Sequence, residues 1–284
     1  MNSIQNFLLN GKFPFHVDST YHLNIIKENK NNQINVFKLS GKKDYIVRIS
    51  NTGQKLKSSY LKQQYIYKKQ KIVPQQLFFG NYKNRYYLIE EFIEGDVITP
   101  EKKNKVDIEL LGYSLNILHL GTNNYVCNSI LKRSTLIFFY SVYKSVEKML
   151  SHKQKKLLLR YFEYLYHLDQ HLFGSFAHED VSYNAIIQND IYKFIDFEHN
   201  RKIASWFDLA DIIDEYSLDK YEENTLLNSY FKRNQLYSNK VNKDELVQVF
   251  MIMKIIRELY IFSEQQVDKL VVKQYLIKLD MLIA

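Results

Sequence analysis

Residues 178–208 read HEDVSYNAIIQNDIYKFIDFEHNRKIASWFD, and this stretch decides the fold. His178 and Asp180 come first, then Asn184, and a second aspartate, Asp196, sits inside the apolar run FIDFE. Between them AIIQ and IYKFIDF read as a β-hairpin, with Asn189-Asp190 as its turn signal. The hairpin returns Asp196 to the neighbourhood of Asp180. A carboxylate placed in an apolar strand needs a partner to offset its desolvation. Transfer of a phosphoryl group from ATP requires this set of groups. One carboxylate orients and deprotonates the attacking hydroxyl, and an oxygen ligand plus a second carboxylate hold Mg²⁺ on the phosphates. Mg²⁺ takes one or two protein carboxylates and keeps the rest of its shell for water and phosphate.

Upstream of this block the first third of the chain reads as strands. NVFKLS (35–40) and DYIVRIS (44–50) are joined by GKK, with Gly41 expected to supply positive φ in a short hairpin connection. QQLFFGN and RYYLIEEFI (85–93) form a second pair around Gly80–Asn84, and residues 53–72 between the pairs read as a weakly amphipathic helix. Gly95 marks the expected boundary between a domain over 1–94 and a second over 95–284. Beyond it the chain reads as mostly helical. Ile108, Leu111, Leu115 and Leu118 recur at helical spacing, two helices break near Ser151, and further helices fill 223–232 and 243–282.

With these elements in place, the sequence resembles the choline/ethanolamine kinase family, within the larger aminoglycoside-phosphotransferase and protein-kinase-like group. The resemblance rests on Ile195-Asp196-Phe197-Glu198, on Phe207-Asp208-Leu209, and on the acidic-aromatic segment ADIIDEY (210–216). Weaker likenesses extend it: YIVRIS (45–50), FIEGDVITPE (92–101), LGYSLNILH (111–119) and IRELY (256–260). It implies a bilobal α+β fold, with a small antiparallel-sheet N-lobe and a larger, mainly helical C-lobe. ATP is then expected near residues 90–95, with Arg48 and Glu91 among its contacts. Asp180 would be the catalytic base, and Asn184 and Asp196 the Mg²⁺ ligands. His119 and His178 would pack and hydrogen-bond beside the loop, with Asp208 bracing it. Tyr216 and Tyr260 would wall the pocket of a small amino alcohol, with Glu215 as counter-charge, since a carboxylate beside an aromatic ring suits an ammonium.

Three departures from the family pattern stand out. The family places its metal-binding Asn five residues after the catalytic Asp, whereas here position 185 is Ala and Asn184 comes one residue early. Either the loop is shorter and Asn184 still reaches the metal, or that ligand is lost. A glycine-containing phosphate loop is absent from KNNQINVFKL (30–39), which offers only Asn31, Asn32 and Asn35. Finally, no Asp or Glu occurs between Asn51 and Gln76, so the helix lacks the acid that should pair with Arg48. These departures keep open a second class, a non-catalytic kinase-like binder. Thiamine and aminoglycosides are rival acceptors within the first class. An aminoglycoside pocket would use many carboxylates, and residues 210–223 hold Asp211, Asp214, Glu215, Asp219, Glu222 and Glu223.

Composition bounds the remaining choices. The chain has 284 residues, 46% of them apolar and 25% charged, enough for a substantial folded core. A net charge of +8 comes with a bias towards Lys, Asn, Ile and Tyr that reads as genomic rather than as a nucleic-acid footprint. Lys55, Lys57, Lys62, Lys68, Lys69 and Lys71 read as a solvated helix face before a phosphate-steering or RNA-binding one. A single cysteine, Cys127, rules out an internal disulfide and suits a cytoplasmic setting. No signal peptide is apparent in MNSIQNFLLNGKF, and STLIFFYSVY and VFMIMKII are too short to span a bilayer. The expected partners are ATP, Mg²⁺ and a small alcohol, with no nucleic acid and no membrane span.

Overall fold

Alternation of apolar residues in the first hundred positions builds an antiparallel sheet, and its register places the residues of interest. A computed structural model describes residues 21–27, 34–197, 202–232, 242–265 and 267–282. The start of the chain, Asn31, Asn32 and Glu198 lie outside the described residues. The chain divides into two compact units, one of residues up to 97 together with 184–200, the other of 98–183 and 201–284.

In the first unit, strands β1 (His22–Lys27), β2 (Ile34–Ser40), β3 (Tyr45–Ser50), β4 (Gln76–Tyr82) and β5 (Arg85–Glu91) form a sheet of order β1-β2-β3-β5-β4. Each neighbouring pair in this sheet is antiparallel. Val36 faces Arg48, Arg48 faces Leu88, and Ile46 faces Glu90. Cross-strand partners share a face, so Val36, Ile46, Arg48, Leu88 and Glu90 stand on one side. Phe37, Leu39, Tyr45, Val47, Ile49, Tyr87 and Ile89 pack together on the other. Helix α1 (Gly53–Lys69) covers part of the Arg48 side through Leu56, which clusters with Ile34 and Leu88. It has neither a side-chain cap nor an acid in its first turn, so packing holds it rather than local capping.

The β4–β5 turn is carried by Lys83 and Asn84, both at positive φ as a two-residue type I′ turn demands. The connection at Gly41 differs from expectation. Among the described glycines only Gly95 has positive φ. The bend at 41–43 is instead capped by the Asp44 carboxylate, which accepts from the Gly41 N–H at 3.2 Å. Gly41 is required for space, because a Cβ there would run into the Tyr21 ring.

A short strand, β6 (Val97–Ile98), ends this run. The expected hairpin is present as β7 (Ala185–Gln188) and β8 (Ile191–Phe194), with Asn189 at φ 52° and Asp190 at φ 55°. It groups with the first unit rather than with residues 95–284 as the sequence reading had it. The Phe194 N–H donates to the Ile72 carbonyl at 2.9 Å, and Gln188 donates to the Glu94 carbonyl. Gly95, at φ 146°, lets the chain pass close by, since a Cβ would lie 2.6 Å from the Ile187 carbonyl oxygen.

The second unit is helical. α2 (Ile108–Thr122) is capped by Asp107, and α3 (Asn128–Val146) and α4 (His152–His167) are separated at Ser151, which forms a capping box with Gln154. α5 (Trp206–Glu215), α6 (Lys220–Phe231), α7 (Lys243–Gln265) and α8 (Lys269–Leu282) follow. No described helix is long and apolar enough to cross a membrane.

Candidate active site

Arg48 is 4% exposed, and a guanidinium so buried must be paired. Its Nε donates to Glu90 Oε1 at 2.8 Å and its Nη1 to Asp196 Oδ1 at 2.7 Å. The acid missing from the helix is therefore supplied by strand β5. The helix contributes an amide in its place. Gln76 donates to both Glu90 Oε2 (2.7 Å) and Gln63 Oε1 (2.8 Å), and Gln63 donates to Ser59 at 2.9 Å. A continuous polar chain thus runs from α1 to the cation. Glu90 was not singled out by sequence, although the β3–β5 register holds the signal, because Glu90 shares a face with Arg48 and Glu91 does not.

Asp196 follows β8 at φ 67°, a conformation costly for a non-glycine residue and found where surroundings over-determine it. Asn184 stands opposite, before β7, where its carbonyl accepts the Ile195 N–H at 2.9 Å. The hairpin thus brings Asn184 and Asp196 to one open end. Amide and carboxylate oxygens are the kinds of ligand that Mg²⁺ takes, and here Asp196 Oδ1 is engaged by Arg48 at 2.7 Å. Among the described residues, no group of three or more His, Cys, Asp or Glu forms a metal cage.

A cavity of about 250 Å³ opens beside this cluster within the same unit. Arg48, Glu90 and Asp196 line one part of it. Val36, Ile46, Phe92, Ile93 and Ile186 make the remainder largely apolar, and Glu91 lies at its edge. A charged end joined to an apolar slot suits a ligand with a flat ring and an anionic tail that brings a cation with it, since Arg48 is already paired with two carboxylates.

In the second unit Asp180, partly buried, precedes a single 3-10 turn, Val181–Tyr183. Asp208, fully buried on α5, accepts the backbone N–H of His178 (2.6 Å) and of Glu179 (2.8 Å). His119 Nε2 lies 2.9 Å from Asp208, and its Nδ1 lies 2.7 Å from the Tyr230 hydroxyl. Asp208 and His119 are therefore braces, as the sequence implied. Glu179, at φ 78°, is the strained residue these bonds hold.

The expected acceptor pocket is not laid out as the sequence reading drew it. Tyr216 is 2% exposed, and its hydroxyl donates to the Ser182 carbonyl at 2.9 Å, so it supports the loop instead of walling a pocket. Glu215 faces an internal cation, Lys254, at 2.6 Å and accepts the Tyr183 hydroxyl at 3.0 Å. Tyr260 is partly buried on α7. The acidic run 210–223 is engaged throughout. Lys254 lies 3.0 Å from Asp211 and 3.2 Å from Asp214, which Lys278 also contacts. Asp219 caps α6, Glu222 pairs with Lys103, and Glu223 pairs with Lys220. Lys254 was missed by sequence, although a lysine inside VFMIMKII is itself an anomaly.

No family model matches this chain, and no curated protein matches it by sequence. Its fold nevertheless has solved counterparts. A choline/ethanolamine kinase family protein from Mesorhizobium loti superposes with a TM-score of 0.68 at 14% identity, covering 100% of this chain and 95% of the other. An ethanolamine kinase from Plasmodium vivax gives 0.61 at 19% identity, covering 98% and 86%. A thermostable mutant of the aminoglycoside phosphotransferase APH(4)-Ia, in ternary complex with AMP-PNP and hygromycin B, gives 0.62 at 12% identity, covering 100% and 98%. The chain has the α+β kinase-like fold of these proteins.

Proposed function

We propose that the protein is an ATP-dependent small-molecule kinase that phosphorylates the hydroxyl of an amino alcohol, choline or ethanolamine. The observation that carries this is Arg48, clamped between Glu90 and Asp196 at the charged end of an apolar cavity. A purine would occupy the apolar slot and Arg48 would meet the phosphates. Asn184 and Asp196 would hold Mg²⁺, which when bound neutralises charge on the transferred phosphoryl group. Asp180 would orient the acceptor hydroxyl and take its proton. Catalysis would come mainly from positioning. The one-residue-short loop is compatible with this, because Asn184 still stands at the hairpin end beside Ile195 and Asp196.

The aminoglycoside reading loses its main support. All six carboxylates of the 210–223 run are committed to internal partners, so a polycation would have to displace bonds already made. A small acceptor with one cationic centre needs a single counter-charge, which would come from a group other than Glu215, since Lys254 holds that carboxylate at 2.6 Å. The test is phosphate transfer from ATP, and separately from GTP, across choline, ethanolamine, thiamine and an aminoglycoside panel with Mg²⁺. Turnover with choline or ethanolamine is expected. Transfer to aminoglycosides alone, or to none of these acceptors, would overturn the reading.

A further inference from the structure

Lys254 has no part in the reaction just described, and its surroundings call for an account. It is 1% exposed on α7, among apolar neighbours in sequence. Burial works against its charge, yet the carboxylates of Asp211, Asp214 and Glu215 outweigh that and hold it protonated well above the ordinary lysine range. Buried ion clusters of this kind add little net stability, because desolvation offsets most of the Coulomb gain. Their consequence lies in what the carboxylates are then fixed to do.

Two of them reach the turn after Asp180. Asp211 accepts the Ser182 hydroxyl at 2.6 Å, and Glu215 accepts the Tyr183 hydroxyl at 3.0 Å. Tyr216 adds a third grip, donating to the Ser182 carbonyl. The turn therefore hangs from the end of α5 at three points, and two of those points are carboxylates pinned by one ammonium. Just before Asp180 the backbone is strained at Glu179, and strain of that kind persists only where several contacts impose it.

We propose that Lys254 is a positioning residue for the catalytic loop: by anchoring Asp211 and Glu215 it fixes the turn Val181–Tyr183 and so holds Asp180 in one orientation. This rests on the kinase reading above. It accounts for a lysine in the apolar helix and for the three carboxylates gathered around it.

The experiment uses the full chain with Mg·ATP and the acceptor identified by the screen. Lys254→Met is expected to lower kcat about tenfold to hundredfold, as small misplacements of reacting groups do, with KM for ATP within twofold of the parent. Lys254→Arg should restore most of the loss. Tyr183→Phe removes one grip on Glu215 at an exposed side chain and leaves Lys254 and its three carboxylates in place. It should lower kcat several-fold at unchanged Tm, and it decides the matter should Lys254→Met fail to fold. Amide hydrogen exchange over 179–183 should quicken in both variants. An unchanged kcat in Tyr183→Phe, or losses that follow KM for ATP, would overturn the proposal. If the parent transfers no phosphate at all, the kinase reading fails instead. Exchange alone then judges the tether, and unaltered exchange in Tyr183→Phe refutes it.

Discussion

Arg48 draws its position from two carboxylates of different standing. Glu90 is 1% exposed and tied to Gln76, so it is a fixed counter-charge, whereas Asp196 is partly buried at a strained hairpin end. Replacing Glu90 by Gln leaves the shape but removes the fixed charge, so Arg48 should lean on Asp196 alone. We expect Glu90→Gln to raise KM for ATP several-fold and to lower stability by about 1–3 kcal/mol, read by steady-state kinetics and urea unfolding. An unchanged KM would mean that the cation is set by something other than β5. Asp180→Asn should behave differently, cutting kcat by ~10²–10⁴-fold in a folded protein, because Asn keeps the size and hydrogen-bonding capacity of the side chain while removing the charge that would take the proton. Asp196→Asn should cost comparable turnover and, in addition, the Arg48 ion pair. Near-normal turnover in Asp180→Asn would remove it from the catalytic role. Asp180 and Asp196 were legible because their spacing in one short stretch is itself informative. Glu90 and Lys254 were not, since each takes its meaning from a partner at least 39 residues away.

At the scale of elements, one hairpin turn and one helix break were legible because their signals are local. Asn189-Asp190 announces its turn, and Ser151 announces the break between α3 and α4 through its capping box with Gln154. The expectation at Gly41 failed for a physical reason: glycine serves there to make room for Tyr21, a contact distant in sequence. Two expected outcomes belong here. Asp190→Val places a β-branched residue at φ 55° and should cost about 1–2 kcal/mol, whereas Asp190→Gly should be close to neutral. Equal stabilities in denaturant titrations would show that the turn does not set the hairpin. The second concerns the brace. Asp208 accepts two backbone donors and sits against His119, all buried, so Asp208→Ala strands groups that each carry a desolvation cost of about 1–3 kcal/mol. A variant that folds with parental Tm would refute the bracing role.

For the molecule as a whole, the division into two compact units frames the last expectation. The cavity lined by Arg48 belongs entirely to the first unit, while Asp180 belongs to the second. Nucleotide binding and proton acceptance should therefore be separable by mutation. A ligand that binds only the folded state adds RT ln(1 + [L]/Kd), about 2.7 kcal/mol at a hundredfold excess over Kd. Millimolar Mg·ATP should accordingly raise the Tm of the parent by several degrees. Arg48→Ala should lose most of that rise, and Asp180→Asn should keep it while losing turnover. The pattern separates the two classes of protein that the sequence left open. A catalytic kinase gives stabilisation together with turnover that depends on Asp180, whereas a kinase-like binder gives stabilisation with no turnover to lose. No stabilisation by ATP or GTP would remove both, and would mean that the Glu90–Arg48–Asp196 cluster serves the packing of the first unit and not a phosphate.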